Sequence, residues 1–381
     1  MKILWVNPSF LDYRVPFYQS LNELTNGNFH LVYSKKRVPA RCIQKIEQAI
    51  GANAHGLEDE GTLSLGDRHS DFSCKKLTIP FPKGLGSMLF TIDADVVIGE
   101  GFFQWTPWAI MRARKTRLPF ALAYEKTEHT ERNCPWWRRV YRMFINKLVD
   151  LYLVNGSLSR QYLRKVIHAN QPIIEGVMAA DSQNMGSRVQ RSKKQGNSID
   201  GLVYLFVGRL IKLKGVDHLI RAWSKHIMVN PKDILYIVGD GPEMVLLKTI
   251  SQNTPSIHFE GNVDYDSIHN YYARADVFVI PTLEDNWSLV VPEAMACGLP
   301  IATSVYNGCH PELVKEGING ITFDPLEEGS LLSALAFFHG KNLADMGKAS
   351  REIEKAYSPE KCANRVFLAL EDLVKNGHTN K

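Results

Sequence analysis

The stretch FVGRLIKLKG, residues 206–215, carries the clearest structural signal in this chain of 381 residues. It completes the apolar run Leu202–Val207, which has the length and composition of a buried strand. We expect this strand to end at Gly208, the following turn to carry Arg209, and the next helix to open at Lys214. A buried strand that leads through a short turn into a helix is the basic unit of an α/β fold.

The same alternation of short apolar runs and longer helical patterns extends over most of the chain. It predicts two Rossmann-like, doubly wound parallel sheets with helices on both faces. Such sheets bind ligands beyond the carboxyl ends of their strands, so we expect a site in a cleft between two facing domains. The runs interpreted as strands are Ile3–Val6, Phe29–Tyr33, Lys76–Ile79, Asp95–Ile98, Pro119–Ala123, Leu151–Val154, Leu202–Val207, Ile234–Val238, Ile257–Phe259, Val277–Ile280 and Ile301–Thr303.

The polar, basic stretch 182–201 interrupts this alternation and predicts a flexible linker. The two domains then comprise residues 1–181 and 202–357. Helical spacing of apolar residues in 358–381 predicts a terminal helix, and the amino-terminal domain is one of two surfaces on which it could pack. Residues 51–74 are rich in Gly, Asp and Ser, and they are interpreted as a loop excursion.

Composition limits the class of protein. The chain is 45% apolar and 22% charged, as is usual for a globular protein, and its net charge of +5 is too small to predict nucleic-acid binding. The apolar start ends at Asn7-Pro8, which is too early for a signal peptide, and no apolar run has the length of a membrane span. We therefore expect a cytoplasmic protein. The six cysteines are scattered and form no Cys-x-x-Cys pair, so we expect reduced thiols and no metal site.

Two segments carry charged residues in a pattern that favours ligand binding. Arg209 and Lys214 are predicted at a strand end and a helix start, where a diphosphate would match their charge. The second segment, PTLEDNWSLVVPEA at residues 281–294, reads as a strand end, a polar loop and a helix beginning near Pro292. Asp285 lies on that loop, and Glu293 lies at the helix start, where a carboxylate can hold a ribose. The alternative for each of these residues is an ordinary solvated charge or turn residue.

Together these segments resemble the large retaining glycosyltransferase family of two-Rossmann-domain (GT-B) architecture, often called family 4. That family shows Gly-Arg-Leu-x-x-x-Lys-Gly, then Gly-x-Gly-Pro-Glu, then an acidic residue shortly before a Glu-Ala pair. The resemblance covers about residues 202–325, and it is specific because several motifs occur in order and at the right spacing. The matching segments are Gly208–Gly215, Gly239–Glu243, Asp285 with Glu293-Ala294, Asn307–Val314 and Gly317–Gly320.

The resemblance implies a role for each of these residues. Arg209 and Lys214 would act in catalysis by holding the diphosphate of a nucleotide-sugar donor, beside Gly208, without a metal ion or a cofactor. Asp285 would bind hydroxyls of the donor sugar and Glu293 would bind the ribose. The family usually has Glu where Asp285 stands, so the sugar contacts are expected to differ. The remaining substrate-binding residues implied are Asn286, Trp287, Ser288, Leu289 and Val290.

The reaction implied by the resemblance moves a sugar to a saccharide acceptor with retention of the anomeric configuration. A lipid-linked acceptor of bacterial surface polysaccharide or lipopolysaccharide synthesis is favoured. Two alternatives remain open. One is a nucleotide-sugar epimerase of the same fold, which needs no acceptor. The other is a catalytically inactive partner protein, which would not turn over a donor.

The amino-terminal half, expected on the acceptor side, gives weaker signals. Some relatives place a His beside the donor in the loop that here follows Pro119–Ala123. His129 is accordingly a catalytic candidate, with Glu128 as a neighbouring substrate-binding candidate. A position on the surface, without contact to substrate, is the alternative for both residues.

Residues 112–147 combine ten Lys or Arg residues with three Glu, and several Trp and Phe lie in or beside this region. Basic and aromatic residues together suit an anionic membrane surface, such as the inner face of the plasma membrane. On this interpretation, reversing the charges of Arg138, Arg139 and Arg142 should weaken membrane binding. The alternative is that the aromatic residues are core and the charges are merely solvated.

Overall fold

The computed structural model of the protein describes residues 1–66, 76–180, 182–192, 201–264 and 267–379. It divides into an amino-terminal unit, Met1–Ala179 with Pro359–Lys381, and a carboxyl-terminal unit, Ala180–Ser358. Each unit contains its own parallel sheet with helices, so the predicted fold class of two doubly wound α/β domains is confirmed.

The amino-terminal unit has a seven-stranded parallel sheet in the order β3-β2-β1-β6-β7-β8-β9, and a separate antiparallel ribbon of β4 and β5. Its strands are β1 (Ile3–Val6), β2 (Phe29–Ser34), β3 (Ala54–Leu57), β4 (Glu60–Gly66), β5 (Lys76–Pro82), β6 (Val96–Glu100), β7 (Phe120–Tyr124), β8 (Leu151–Val154) and β9 (Ile173–Glu175). Its first six helices are α1 (Arg14–Leu24), α2 (Ala40–Ile50), α3 (Leu85–Thr91), α4 (Thr106–Thr116), α5 (Trp136–Asn146) and α6 (Ser157–Lys165).

The carboxyl-terminal unit has a six-stranded parallel sheet in the order β12-β11-β10-β13-β14-β15. Its strands are β10 (Val203–Val207), β11 (Ile234–Val238), β12 (Ile257–Gly261), β13 (Val277–Ile280), β14 (Ile301–Ser304) and β15 (Gly320–Phe323). Its helices are α7 (Ser182–Ser192), α8 (Val216–His226), α9 (Met244–Ile250), α10 (His269–Arg274), α11 (Val290–Ala296), α12 (His310–Leu313), α13 (Glu328–Ala336) and α14 (Leu343–Glu354). The last helix of the chain, α15 (Pro359–Thr379), belongs to the amino-terminal unit.

The central strands are apolar along their whole length because helices cover both faces of a parallel sheet. Every residue of β1 is buried, and Trp5 packs edge-on against Phe17 and Tyr18 of α1. The terminal α15 packs against α1 and buries Val366 and Leu370, one helical turn apart. Within the described part of the chain, no helix has both the length and the apolar character that crossing a bilayer requires.

Two predictions for the amino-terminal half are wrong. The predicted loop excursion at 51–74 contains β3, an edge strand of the parallel sheet, and β4. The predicted strand Lys76–Ile79 belongs to β5 and pairs with β4 instead of joining the parallel sheet. Pro80 and Pro82 explain this placement, because proline has no N–H to donate within a central strand. Residues 67–75 lie outside the described part of the chain.

The predicted linker at 182–201 is also corrected. Its first part is the helix α7, which belongs to the carboxyl-terminal unit and packs against α10 and α11. Met185 and Val189 lie one turn apart and are buried, so a narrow apolar stripe fixes a helix whose average composition is polar. The rest of the predicted linker, residues 193–200, lies outside the described residues.

In both sheets the chain changes its direction of winding at the first strand. It proceeds from β1 through β2 to β3, and then returns to place β6 on the other side of β1. In the same way β10, β11 and β12 proceed in one direction, and β13 lies on the other side of β10. Doubly wound sheets bind ligands beyond the carboxyl ends of the two strands that flank such a reversal. Ligand-binding sites are therefore expected at the loops after β1 and β6 and at the loops after β10 and β13.

Candidate functional site

The loop after β10 presents Arg209 on the surface of the carboxyl-terminal unit. Gly239, which follows β11, supports this loop from behind, because a Cβ atom on Gly239 would lie 1.9 Å from the carbonyl oxygen of Gly208. The N–H of Leu210 donates to Asp240, and the N–H of Glu243 donates to Leu210. The Gly-Asp-Gly-Pro-Glu motif thus acts through backbone packing that holds the turn on which Arg209 stands.

Lys214 does not open a helix, as the sequence predicted. It ends a 3-10 turn, Lys212–Lys214, and α8 begins only after Gly215, whose φ is +62°. A Cβ atom on Gly215 would lie 2.3 Å from the carbonyl oxygen of Pro281, so a larger residue would push the two loops apart. The N–H of Leu283 donates to the carbonyl of Leu213 at 2.7 Å. The loops after β10 and β13 are therefore tied together.

This junction brings two of the predicted residues into direct contact. The Lys214 Nζ donates to Asp285 Oδ2 at 2.6 Å, and both side chains are mostly buried. Asp285 also accepts hydrogen bonds from the Ser288 hydroxyl and from the Trp287 N–H. Burial alone would raise the pKa of Asp285, but the Lys214 ammonium and these hydrogen bonds outweigh it and hold the pKa below its usual value. Asp285 is accordingly a fixed anion beside a fixed cation.

Asn307 is a positioning residue to which the sequence analysis assigned no role. Its buried Oδ1 accepts the backbone N–H of Ser288 at 3.3 Å, and its Nδ2 donates to the Thr303 hydroxyl. The next residue, Gly308, donates its N–H to the carbonyl of Asp285, and a Cβ atom there would lie 2.0 Å from the carbonyl oxygen of Asn286. The signal was present in the Asn-Gly pair at 307–308, because that pair is typical of tight turns.

Glu293 lies in the first turn of α11, which begins at Val290 and so two residues before the predicted start. Its side chain is partly buried and accepts a hydrogen bond from the Tyr272 hydroxyl at 3.3 Å. Trp287 is buried, with its ring 5.8 Å from that of Tyr357. The partly buried Asn286 and Leu289 lie on the loop that joins Asp285 to α11, and the partly buried Val290 is the first residue of that helix.

These positions give the carboxyl ends of β10 and β13 a defined chemistry. Two cations, Arg209 and Lys214, stand on one loop, and a carboxylate, Asp285, stands on the other, with Glu293 following in α11. Strands β10 and β13 are neighbours and flank the reversal of winding. The cations can bind a polyanion, and the carboxylates can accept hydrogen bonds from the hydroxyls of a sugar.

One group of residues in the carboxyl-terminal unit could hold a metal ion: His226, Asp233 and His339. Asp233 Oδ2 is 2.7 Å from the Nε2 of His226 and 2.8 Å from that of His339, while its Oδ1 accepts the N–H of Leu202. Leu202 and Asp233 precede β10 and β11, so this group lies at the amino ends of the strands. An ion there would be at the edge of the sheet opposite to Lys214.

The two candidates of the amino-terminal unit, Glu128 and His129, lie in the loop that follows β7. Glu128 is exposed and His129 is partly buried. A residue that the sequence analysis missed, Glu131, anchors this loop, because it is buried and pairs with Arg142 of α5 at 2.6 Å. Burial alone would lower the pKa of Arg142, but Tyr124 and Glu131 outweigh it and raise that pKa above its usual value. The ionised pair fixes the loop that carries His129.

A cavity of about 360 Å³ opens between the loops after β1 and β6, at the reversal of winding in the amino-terminal unit. At its base, Glu100 accepts hydrogen bonds from Arg14 at 3.1 Å and from the Trp5 indole at 2.9 Å. Both oxygens of this carboxylate are therefore engaged. The polar lining includes Asn7, Tyr13, Glu100, Gln104, Glu125 and Lys126.

In the basic and aromatic region at 112–147, some residues belong to the core and others are exposed on the surface, so each of the two interpretations given by the sequence applies to part of the region. Phe102 and Trp105 are core residues, whereas Trp136 and Trp137 are exposed. The expectation that Arg138, Arg139 and Arg142 share a membrane-facing role is wrong for two of them, because Arg138 and Arg142 are buried and only Arg139 of the three is exposed. The other exposed basic residues of the region are Arg114, Lys115, Arg117, Arg132 and Lys147.

Comparison with known proteins agrees with this geometry. Residues 201–338 match the family Glycosyl transferases group 1. Over 254 residues the chain is 32% identical to an uncharacterized glycosyltransferase of Methanocaldococcus jannaschii, and this match covers 61% of this chain and 63% of that protein. Over 200 residues it is 33% identical to the alpha-monoglucosyldiacylglycerol synthase of Acholeplasma laidlawii, with coverages of 51% and 49%. The crystal structure of Anabaena HepE in complex with UDP matches with a TM-score of 0.72 at 16% identity, and the match covers 98% of this chain and 100% of that one.

The sequence matches span 49% to 63% of the length of these two curated relatives. At 16% identity the likeness to the solved structure concerns the fold alone. The family match begins at residue 201, just before β10, and covers the loops that carry Arg209, Lys214, Asp285 and Glu293. The chain therefore matches the glycosyl transferases group 1 family over residues 201–338, and its two units have the fold of the GT-B glycosyltransferases.

Proposed function

We propose that the protein is a glycosyltransferase that moves a sugar from a nucleoside-diphosphate sugar to an acceptor hydroxyl. The observation that carries this proposal is the contact between Lys214 and Asp285 at the reversal of winding, where the loop that carries Lys214 also carries Arg209. A diphosphate needs fixed cations, and a sugar needs fixed hydrogen-bond acceptors. The tied loops after β10 and β13 supply both within one small region.

In this proposal Arg209 and Lys214 hold the diphosphate and stabilise the negative charge that develops on it as the sugar leaves. Lys214 has three N–H donors, and the contact with Asp285 uses one of them, so it can bind Asp285 and a phosphate oxygen together. Asp285 accepts hydrogen bonds from hydroxyls of the sugar, and Glu293 accepts those of the ribose. The backbone between Asp285 and Val290 approaches the sugar and phosphate.

Catalysis without a metal ion, and retention of the anomeric configuration, are the finer parts of the proposal. In this proposal two basic side chains meet the leaving group, where in other transferases a divalent ion would neutralise charge. His129 is proposed to lie beside the donor sugar during transfer, on the loop that the pair Glu131–Arg142 fixes.

The acceptor is proposed to be a saccharide bound in the cavity between the loops after β1 and β6. That cavity has the size of a small-ligand site, and its polar lining can bind hydroxyl groups. A lipid-linked saccharide of surface polysaccharide or lipopolysaccharide synthesis is the acceptor we favour. One relative is named as a synthase of a glucosyldiacylglycerol, which supports an acceptor that carries a lipid.

The test begins with a panel of UDP-, GDP-, ADP- and dTDP-sugars, and the donor that raises the unfolding temperature most is chosen. HepE has been solved with UDP-glucose, so UDP-glucose is the first donor to try. We expect release of the nucleoside diphosphate and formation of a glycoside when an acceptor is present. An epimerised nucleotide sugar formed without acceptor, or no turnover of a donor that binds, would overturn the proposal in favour of the epimerase or the inactive protein.

A further inference from the structure

Helix α5 exposes an apolar face. Trp136 is 76% exposed, Val140 55% and Phe144 63%, and these residues are spaced by four, so they lie on one side of the helix. Trp137 and Met143, next to this stripe, are exposed as well. We call these five residues the α5 face. Large apolar side chains of a surface helix normally point into the core.

The opposite side of α5 is charged and buried. Arg138 is 7% exposed and Arg142 only 3%. The Arg142 guanidinium donates to Glu131 and to the Tyr162 hydroxyl, both at 2.6 Å. The same side also packs Ile145 and Tyr141 against the core. The helix is therefore held in the unit by contacts of this inward side, and these contacts do not explain why the α5 face is apolar.

The surroundings of the α5 face are basic. Arg139 and Lys147 are exposed on or directly after α5, and no acidic residue occurs between Trp136 and Lys147. Arg114 is also exposed; its guanidinium donates to the carbonyl of Leu148, just beyond the end of α5, at 2.7 Å and lies 3.9 Å from the Asp150 carboxylate. An apolar patch bordered by Lys and Arg is complementary to a surface with an anionic outer layer and an apolar interior.

We propose that the α5 face inserts into the headgroup layer of an anionic membrane, with Arg139, Lys147 and Arg114 contacting lipid phosphates. Trp side chains prefer this layer because the ring is apolar and the indole N–H is polar. A helix that lies in the interface buries its apolar side to about 5–10 Å, which is the depth of one row of side chains. The further step, that the protein meets a lipid-linked acceptor at this face, rests on the proposed function. Membrane binding itself is measured without turnover.

The experiment is flotation of the full chain with vesicles of phosphatidylcholine, alone or mixed with phosphatidylglycerol. We expect binding to the anionic vesicles at low salt, accompanied by a blue shift of Trp fluorescence. Val140→Glu with Phe144→Glu should lower the partition coefficient at least about tenfold. Arg139→Glu with Lys147→Glu should lower it by about fivefold or more per residue, and less at high salt, where these contacts are screened.

The matched control is Met228→Glu, which removes a residue that is 81% exposed in the carboxyl-terminal unit and should leave binding unchanged. All substituted side chains are exposed, so the variants should keep the wild-type unfolding temperature. Absence of binding to anionic vesicles at low salt would overturn the inference, as would equal binding by all variants. A wild-type dimer that Phe144→Glu dissociates would assign the α5 face to a contact between copies instead. Transfer to a soluble acceptor reports on the proposed function separately, because Phe144→Glu should leave it intact.

Discussion

The substitution Asp285→Asn separates the proposed role of this residue from its shape. Asparagine keeps an oxygen that can accept the Trp287 N–H, which Asp285 accepts at 3.1 Å. It places an NH₂ group where Oδ2 now accepts from Lys214 at 2.6 Å and from the Ser288 hydroxyl. The variant therefore loses two hydrogen bonds that the ionised carboxylate now accepts, together at least about 3 kcal/mol. If the donor sugar depends on the same carboxylate in the transition state, turnover should fall about a hundredfold.

The same substitution should have a different effect on the binding of the free nucleoside diphosphate, which is what remains of the donor after the sugar has left. Lys214 is released from its ion pair and becomes fully available to the diphosphate. The affinity for the free nucleoside diphosphate should therefore stay the same or increase, as measured by calorimetry. The control is Asp217→Asn, which removes a carboxylate at the start of α8, 3.8 Å from His218, and should change neither quantity. Near-normal turnover by Asp285→Asn would refute the assigned role, and a large loss of nucleotide affinity would show that Asp285 acts only by positioning Lys214.

The remaining predictions concern metal, stability and pH. Turnover should survive a chelator, because the proposed mechanism uses Arg209 and Lys214 to meet the leaving group, and NMR of the product should show the anomeric configuration of the donor. Inversion or complete loss would contradict the mechanism. Arg142→Ala should lower the free energy of unfolding by about 3 kcal/mol because it removes the 2.6 Å partner of the buried Glu131 and leaves Lys126 at 3.8 Å, whereas the exposed Arg139→Ala should change it by less than about 0.5 kcal/mol in urea titrations. Because the pKa of Asp285 is lower in the folded protein than in the unfolded chain, its carboxylate stabilises the fold above about pH 4 and loses this effect as the pH falls further. The difference in unfolding temperature between the wild type and Asp285→Asn should therefore shrink on acidification, and a constant difference would contradict the lowered pKa.

Local patterns were sufficient to predict the class of fold and most central strands. A strand such as β10 is buried on both faces, so its apolar run is continuous and can be recognised without knowing its neighbours. Short or partly polar strands were missed. Both β9 and β15 have residues that are only partly buried, and β3 is an edge strand of four residues that includes His55 and Gly56. The helix α7 was missed because its buried apolar side chains, Met185 and Val189, form only a narrow stripe in a polar sequence.

The sequence named the residues of the candidate site but could not give the contacts between them. The resemblance supplied Lys214 and Asp285, which are 71 positions apart, but their ion pair depends on the tie between the loops after β10 and β13. Periodicity likewise shows which residues of α5 share a side, but not which side points inward. That choice depends on Glu131, which lies outside the helix and holds Arg142 in the interior.

The central claim is that Arg209 and Lys214 hold the diphosphate of the donor, and the double variant Arg209→Ala with Lys214→Ala tests it most directly. Its matched control is Lys212→Ala, which removes an exposed lysine from the same short segment. Turnover of the chosen donor and the Kd of its nucleoside diphosphate should be measured on the full chain beside the unfolding temperature. We predict that the double variant remains folded and loses at least about a hundredfold in turnover, with much weaker nucleotide binding, while the control is unchanged. Near-normal turnover and nucleotide affinity in the folded double variant would contradict the claim.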